Sequence, residues 1–202
     1  MSEPESIVVL SSEAAGVEAE LARGLREGRP EAYSDLRRRF GRRLSQFAQA
    51  RLMGDAQLAE DLTVQTFADA VRNIRRFDPR RSTLAAWLYG ILRRHVQREW
   101  TRSKRRKCIP PWAQVSLDSV SDTPADGDPP AESASRIDAQ RQVAELARTL
   151  ADIEFEVLVL SCVEEFSVPE IGRIVGRSKR AIHSLLHRAR RKARERLGQD
   201  DR

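Results

Sequence analysis

Residues Phe77 to Lys107 read FDPRRSTLAAWLYGILRRHVQREWTRSKRRK, and the fold follows from how this stretch is read. Asp78-Pro79 interrupts what precedes it, and Ser82 and Thr83 offer a helix cap. Leu84, Trp87, Leu88, Ile91, Leu92 and Val96 then recur at helical spacing. Trp87 lies on that stripe, so it reads as core before it reads as a stacking platform. Between Arg80 and Lys107 stand ten Lys or Arg against one acid, Glu99. The helix therefore pairs an apolar stripe with a dense positive face, and such a face suits a polyanion.

Working outward toward the N-terminus, the chain continues to read as helices. Residues 1–16 mix Ser, Glu, Pro and Gly without lasting periodicity and are expected to form a flexible terminus. Val17, Leu21 and Leu25 predict a short helix ended by Gly28. Pro30 opens a longer helix to Met53, with a stripe of Tyr33, Leu36, Phe40, Leu44, Phe47, Ala48 and Leu52. Arg37, Arg38, Arg39, Arg42 and Arg43 fall on its other faces and read as solvated surface. Gly54-Asp55 turns the chain, and Leu58, Leu62, Thr66, Phe67, Ala70 and Ile74 mark a third helix to about Arg75. Glu60, Asp61, Gln65, Asp69 and Asn73 lie off that stripe as a polar ridge. Neighbours such as Glu60 and Asp61 point about 100° apart on a helix, which does not suit a general acid–base pair.

Toward the C-terminus the basic run SKRRK at 103–107 gives way to Ile109-Pro110-Pro111. Residues 108–136 are acidic and proline-rich, with six acids against Arg136 alone between Asp118 and Asp138, and read as a flexible linker. Trp112 is an isolated aromatic within it. A second module, 137–198, follows. Val143, Leu146, Ala147 and Leu150 fit one helix, and Phe155, Val157, Leu158, Leu160 and Val163 the next. Ser167-Val168-Pro169-Glu170 is a capping box, Gly176 suits a left-handed helix end, and Ser178 caps the final helix with its stripe Ile182, Leu185, Leu186, Ala189 and Ala193. Gly172 leaves room for a close crossing, which completes a helix-turn-helix. Arg173 to Arg196 holds ten Lys or Arg against Glu195. Lys179, Arg180 and His183 sit at the end such motifs push into the major groove, and Arg188, Arg190, Arg191, Lys192 and Arg194 suit phosphates.

The expected fold class is therefore all-α: two small helical domains, 17–107 and 137–198, joined by a flexible acidic linker, the second a helix-turn-helix. A formal charge of +6 and a pI near 10.0 agree with a nucleic-acid partner. An apolar run of the roughly 20 residues that a membrane span needs is missing, and the acidic start MSEPES lacks a basic n-region. The expectation is a cytoplasmic protein without membrane insertion. Cys108 and Cys162 are far apart, and His183 and His187 have no third ligand in sequence, so neither a metal nor another cofactor is expected. Nor does the sequence offer a nucleophile with a base or a phosphate-cradling glycine loop, so the expectation is not an enzyme.

Several of these strings together resemble one family. In the first module they are Gly54-Asp55, Ala59-Glu60-Asp61-Leu62, Gln65-Thr66-Phe67, Arg76-Phe77-Asp78-Pro79 and Ala86-Trp87-Leu88. In the second they are Ser167, Pro169-Glu170-Ile171-Gly172, Gly176, Ser178, Ile182, Ser184 and His187-Arg188-Ala189-Arg190. In this order they resemble the extracytoplasmic-function sigma factors of bacterial RNA polymerase.

That resemblance implies a transcription initiation subunit that binds core polymerase at its clamp helices and flap and recognises promoter DNA, both duplex and single-stranded. By position, Asp61, Gln65, Asp69, Arg72 and Asn73 would dock on the clamp helices of the largest subunit. Asp78, Arg80, Arg81, Ser82 and Thr83, with Arg93, Arg94, Gln97, Arg98 and Trp100, would open the minus-ten element and hold one strand. Ser178, Lys179, Arg180, His183, Ser184, His187, Arg188 and Arg191 would read the minus-thirty-five duplex. An anti-sigma factor is a further implied partner. Some positions depart from the family pattern: Thr63-Val64-Gln65 replaces a Gln-Glu pair, Arg94 and Arg98 stand where Asn and Asp are common, and Leu185 replaces an arginine. The other reading of the residues is a stand-alone helix-turn-helix regulator of duplex operators.

Overall fold

The computed structural model describes the backbone of residues 5–105 and 145–197 and the side chains of 16–102 and 145–196. Every element in those residues is helical. α1 spans Glu5–Arg26, α2 Pro30–Arg51, α3 Ala56–Asn73 with a 3-10 turn at Ile74–Arg76, and α4 Leu84–Arg105. After a helical segment at 145–149 come α5, Asp152–Cys162, α6, Val168–Val175, and α7, Lys179–Leu197. The predicted linker 108–136, with Trp112 and Cys108, and Val143 lie outside the described residues.

Local chemistry accounts for the boundaries. Pro30 occupies the first turn of α2, where a missing N–H costs nothing. Asp55 caps α3 by accepting the Leu58 amide at 2.9 Å. One expectation fails: α1 begins at Glu5, not at Val17. The mixed composition of residues 5–16 hid a helix that carries straight through Gly16 into the packed half of α1, where Leu21, Ala22 and Leu25 are buried.

The core of the first module is the stripe the spacing predicts except for Val17 and Tyr33, which are exposed; Leu36, Leu44, Leu84, Leu88 and Leu92 are fully buried. It does not stop at the module boundary. Val157, Leu160, Ile171, Ile174, Ile182 and Leu186 belong to the same apolar cluster, because α6 packs along α4. Tyr89 stands at the join, edge-on to Phe47 at 5.2 Å on one side and to Phe166 at 5.1 Å on the other. Such aromatic pairs add about 0.5–1.5 kcal/mol each beyond their buried area.

The helix-turn-helix is built as the sequence predicts. Gly176 ends α6 at φ 72°, ψ 39°, a left-handed conformation that favours glycine. The Glu170 carboxylate accepts the Ser167 amide at 2.9 Å and the Ser167 hydroxyl at 2.6 Å, closing the start of the helix. A Cβ on Gly172 would lie 2.9 Å from the Arg177 carbonyl oxygen, a backbone atom in the turn. Gly172→Ala is accordingly expected to destabilise this module by about 1–3 kcal/mol through overpacking, read as a lower urea midpoint.

Candidate functional site

Three surfaces carry the polar and charged groups the sequence singles out. On α3, Asp61, Gln65 and Arg72 point to solvent as one ridge. Asp69 leans toward α4 instead, with Oδ2 3.1 Å from His95 Nε2, and the Asn73 amide folds back to donate to the Asp69 carbonyl of its own helix at 2.8 Å. The ridge is completed by two exposed valines, Val64 and Val71, that sequence reading missed. Their signal was available, since they stand seven residues apart and off the buried stripe.

Between α3 and α4 lies a hollow of about 300 Å³, lined by Asp69, Asn73, Arg76, Trp87, Arg94, His95 and Arg98. Trp87 is half-buried, stacked at a tilt on Phe77 with ring centres 5.4 Å apart, and turns its remaining edge to this hollow. His95 is held below the usual imidazole range, mainly because burial disfavours its charged form, while Asp69 opposes that shift. Arg94, Gln97 and Arg98 form an exposed polar row along α4, continuous with the exposed loop Asp78 to Arg81. That loop is shaped by Asp78, whose carboxylate accepts the Arg80 amide at 2.9 Å and whose carbonyl accepts the Arg81 amide at 3.0 Å. Thr83 caps α4 by accepting the Ala86 amide at 3.2 Å.

Two expected members of that face are turned elsewhere. Arg93 is largely buried and its Nε sits 2.9 Å from Glu156 Oε1, across the module boundary. Trp100 is partly buried, with the Arg51 guanidinium 4.6 Å above its ring. Arg51 itself is buried, donates to the Asp152 carbonyl at 2.8 Å and approaches Glu156 at 4.0 Å. A second bridge joins Arg43 to Glu164, with both Nε and Nη2 2.9 Å from one carboxylate oxygen. Arg43 was expected to be solvated surface. It is exposed, yet it also reaches the buried Glu164, as Arg93 and Arg51 reach Glu156; neither acid stood out in sequence because each is embedded in or beside an apolar run.

On α7 the residues expected to face duplex DNA are all exposed: Lys179, Arg180, His183, Ser184, His187, Arg188 and Arg191, with Ser178 before them. Ser178 accepts the Ala181 amide at 3.3 Å, so it also serves as the cap. Arg188 and Lys192 reach back to the buried Glu154 carboxylate at 3.1 and 2.7 Å. That brace holds the Glu154 carboxyl below its usual range against the opposing effect of burial. Leu185 is buried and packs the helix onto the module. A hollow of about 780 Å³ beside α7 is lined by His183, Ser184, His187, Arg190 and Arg194, among others. Arg191 makes only a long contact to Glu195 at 3.6 Å. If Arg191 meets a phosphate, Arg191→Ala should reduce the slope of log affinity against log salt by about one, uniformly across sequences, in a titration against duplex DNA.

Residues 31–106 match the Sigma-70 region 2 family and residues 140–192 match Sigma-70, region 4. The chain is 30% identical to the RNA polymerase sigma factor CarQ of Myxococcus xanthus, covering 86% of this chain and 94% of that one. It is 27% identical to the ECF RNA polymerase sigma factor SigW of Bacillus subtilis over 86% and 92% of the two chains. The fold matches the sigma factor RpoE of Bartonella quintana, solved in complex with the anti-sigma factor NepR, at a TM-score of 0.60 and 27% identity, covering 83% of this chain and 99% of that one. With both regions in the expected order and relatives matched over nearly their full length, the chain belongs to the extracytoplasmic-function sigma factors of bacterial RNA polymerase.

Proposed function

We propose that the chain acts as the promoter-recognising subunit of RNA polymerase, with its work divided among the three surfaces described. The single observation that carries the reading is the combination, in one chain, of a capped helix-turn-helix with an exposed recognition face and an exposed Arg94-Gln97-Arg98 row beside the 78–83 loop. A duplex-binding regulator needs only the first of these. The second suits a separated strand, whose backbone wants a basic groove and whose bases want a hollow with an aromatic edge.

In this reading Asp61, Gln65 and Arg72, with Val64 and Val71, dock on the polymerase clamp helices, while Asp69 supports the ridge from the α4 side and Asn73 from within α3. Asp78, Arg80, Arg81, Ser82 and Thr83 separate the minus-ten strands, and Arg94, Gln97 and Arg98 hold the freed one. Arg93 joins them once the modules part, since its contact to Glu156 crosses the boundary, and Trp100 joins them from beneath Arg51 of its own module. Ser178 to Arg191 read the minus-thirty-five duplex. The structural neighbour bound to an anti-sigma factor supports a comparable inhibitory partner for this chain, acting in the cytoplasm. Among the described residues no helix is long and apolar enough to cross a membrane.

Run-off transcription on a promoter library, with bacterial core polymerase in the presence and absence of the protein, tests this reading. Defined starts that appear only with the protein support it and reveal the promoter sequence. If core polymerase ignores the protein while the protein alone binds one duplex tightly, a stand-alone regulator replaces it.

A further inference from the structure

The helix α1 lies before residue 31, where the region 2 match begins, so that family match does not cover it. Its position supplies a role. Leu21, Ala22 and Leu25 anchor α1 in the core of the first module. From that anchored stretch, two charged side chains reach opposite ends of the segment that contains the strand-separating loop. Arg26 Nη2 donates to the Phe77 carbonyl at 2.6 Å, immediately before the loop. Glu18 Oε2 accepts the Leu84 amide at 2.6 Å, immediately after it.

Both contacts go to backbone, so they fix where the loop leaves and rejoins the fold whatever its side chains do. At the front end, Phe77 is buried against Trp87, which gives Arg26 a fixed carbonyl to grip. At the back end, the first amides of α4 have no partner within the helix. Glu18 takes the Leu84 amide and Thr83 the Ala86 amide, so the cap is shared between α1 and the loop itself. Burial raises the Glu18 carboxyl above its usual range, opposed by the Leu84 and Ala85 amides. The loop between the two grips, Asp78 to Arg81, stays exposed.

We propose that α1 is a bracket for the strand-separating loop, with Glu18 and Arg26 as positioning residues that hold its two ends at a fixed span. The inference rests on the assignment of that loop to minus-ten opening. Strand separation needs the loop's polar and basic groups presented to one strand in a set geometry, and small misplacement of such groups is costly. The bracket therefore acts on the opening step and leaves core binding and duplex recognition alone.

The test uses holoenzyme assembled from core polymerase and the full chain, on a promoter obtained from the run-off selection. Four variants are compared: Glu18→Ala, Glu18→Gln, Arg26→Met and the loop control Arg80→Ala/Arg81→Ala. Opening is followed by permanganate reactivity of unpaired thymines, on duplex promoter and on the same promoter with a pre-opened mismatch bubble. Glu18→Ala and Arg26→Met are expected to slow opening about tenfold on duplex, the size of one lost charge-assisted hydrogen bond, with core affinity unchanged. On the bubble, transcription by both variants should return to the wild-type level, and Glu18→Gln, which keeps an acceptor for the Leu84 amide, should fall between. If the loop control slows opening while Glu18→Ala and Arg26→Met do not, the bracket is wrong and the loop assignment stands. If the loop control itself opens DNA normally, the loop assignment falls and takes the bracket with it. A defect that persists on the bubble together with weakened core binding also overturns the proposal, since α1 would then be only a structural part of the module.

Discussion

Glu156→Ala is expected to destabilise the folded chain by about 3–5 kcal/mol, because it leaves two buried guanidinium groups without their counter-charge. Glu156 is 2% exposed and sits on α5, facing Arg93 at 2.9 Å and Arg51 at 4.0 Å from the first module. Burial already pulls the Arg51 guanidinium below its usual range, with Glu156 the leading opposing charge. Removing that charge leaves only the smaller effect of Asp152 against the desolvation. A solvent-exposed bridge in the same chain, such as Arg191 to Glu195, would change stability by about 0–1 kcal/mol when broken, so the contrast is measurable. The experiment is a urea titration of wild type, Glu156→Ala, Arg93→Met and the double variant. Strong coupling is expected, with the double variant losing less than the sum of the singles, since Arg93→Met removes one of the two buried charges that Glu156→Ala leaves unpaired. A loss below about 1 kcal/mol for Glu156→Ala would mean that water reaches this carboxylate and that the modules are not held by it.

The same contact shows where sequence reading reached its limit. The stripe of α4 was legible because helical periodicity reports burial against the helix's own module. Tyr89 and Ala86 lie beside that stripe and are buried too, since the second module covers the flank they occupy. Periodicity carries no information about a face closed by residues some 70 positions later. The partners of Arg43, Arg51 and Arg93 were unreadable for the same reason: each is an acid from α5 or the turn after it. What was legible was local. The Ser167–Glu170 box, the Gly176 turn and the Gly172 crossing are fixed by neighbours within a few residues. The α7 face was legible because a polar face left uncovered in the fold is also uncovered in the pattern. The two halves of the α3 ridge illustrate the boundary between these cases. Asp61, Gln65 and Arg72 project as expected, whereas Asp69 is drawn to His95 of α4 and Asn73 is held by the backbone of its own helix.

Arg94→Ala/Arg98→Ala is expected to lower promoter-dependent transcription by about a hundredfold or more while leaving the fold and core binding intact. Both side chains are exposed, four residues apart on one face of α4, and both line the hollow that Trp87 borders. Neither has a carboxylate partner among the described residues; Arg94 donates only to the Gly90 carbonyl of its own helix at 3.3 Å. Losing them therefore costs the fold little, in contrast with Arg93. If each meets a phosphate or base edge, each contributes about 1–3 kcal/mol to the open complex, and two such losses give the stated factor. Net charge alone would predict a different result, and a control separates the two. Arg37→Ala/Arg42→Ala removes the same charge from the exposed face of α2 and should leave transcription near wild type. Arg94→Lys/Arg98→Lys should fall between, since lysine keeps the charge but loses the planar fork, and its residual activity should decline more steeply with salt. Equal losses from the α2 and α4 pairs would show that the basic surface acts only as a diffuse field; loss confined to the α4 pair places the separated strand along this helix.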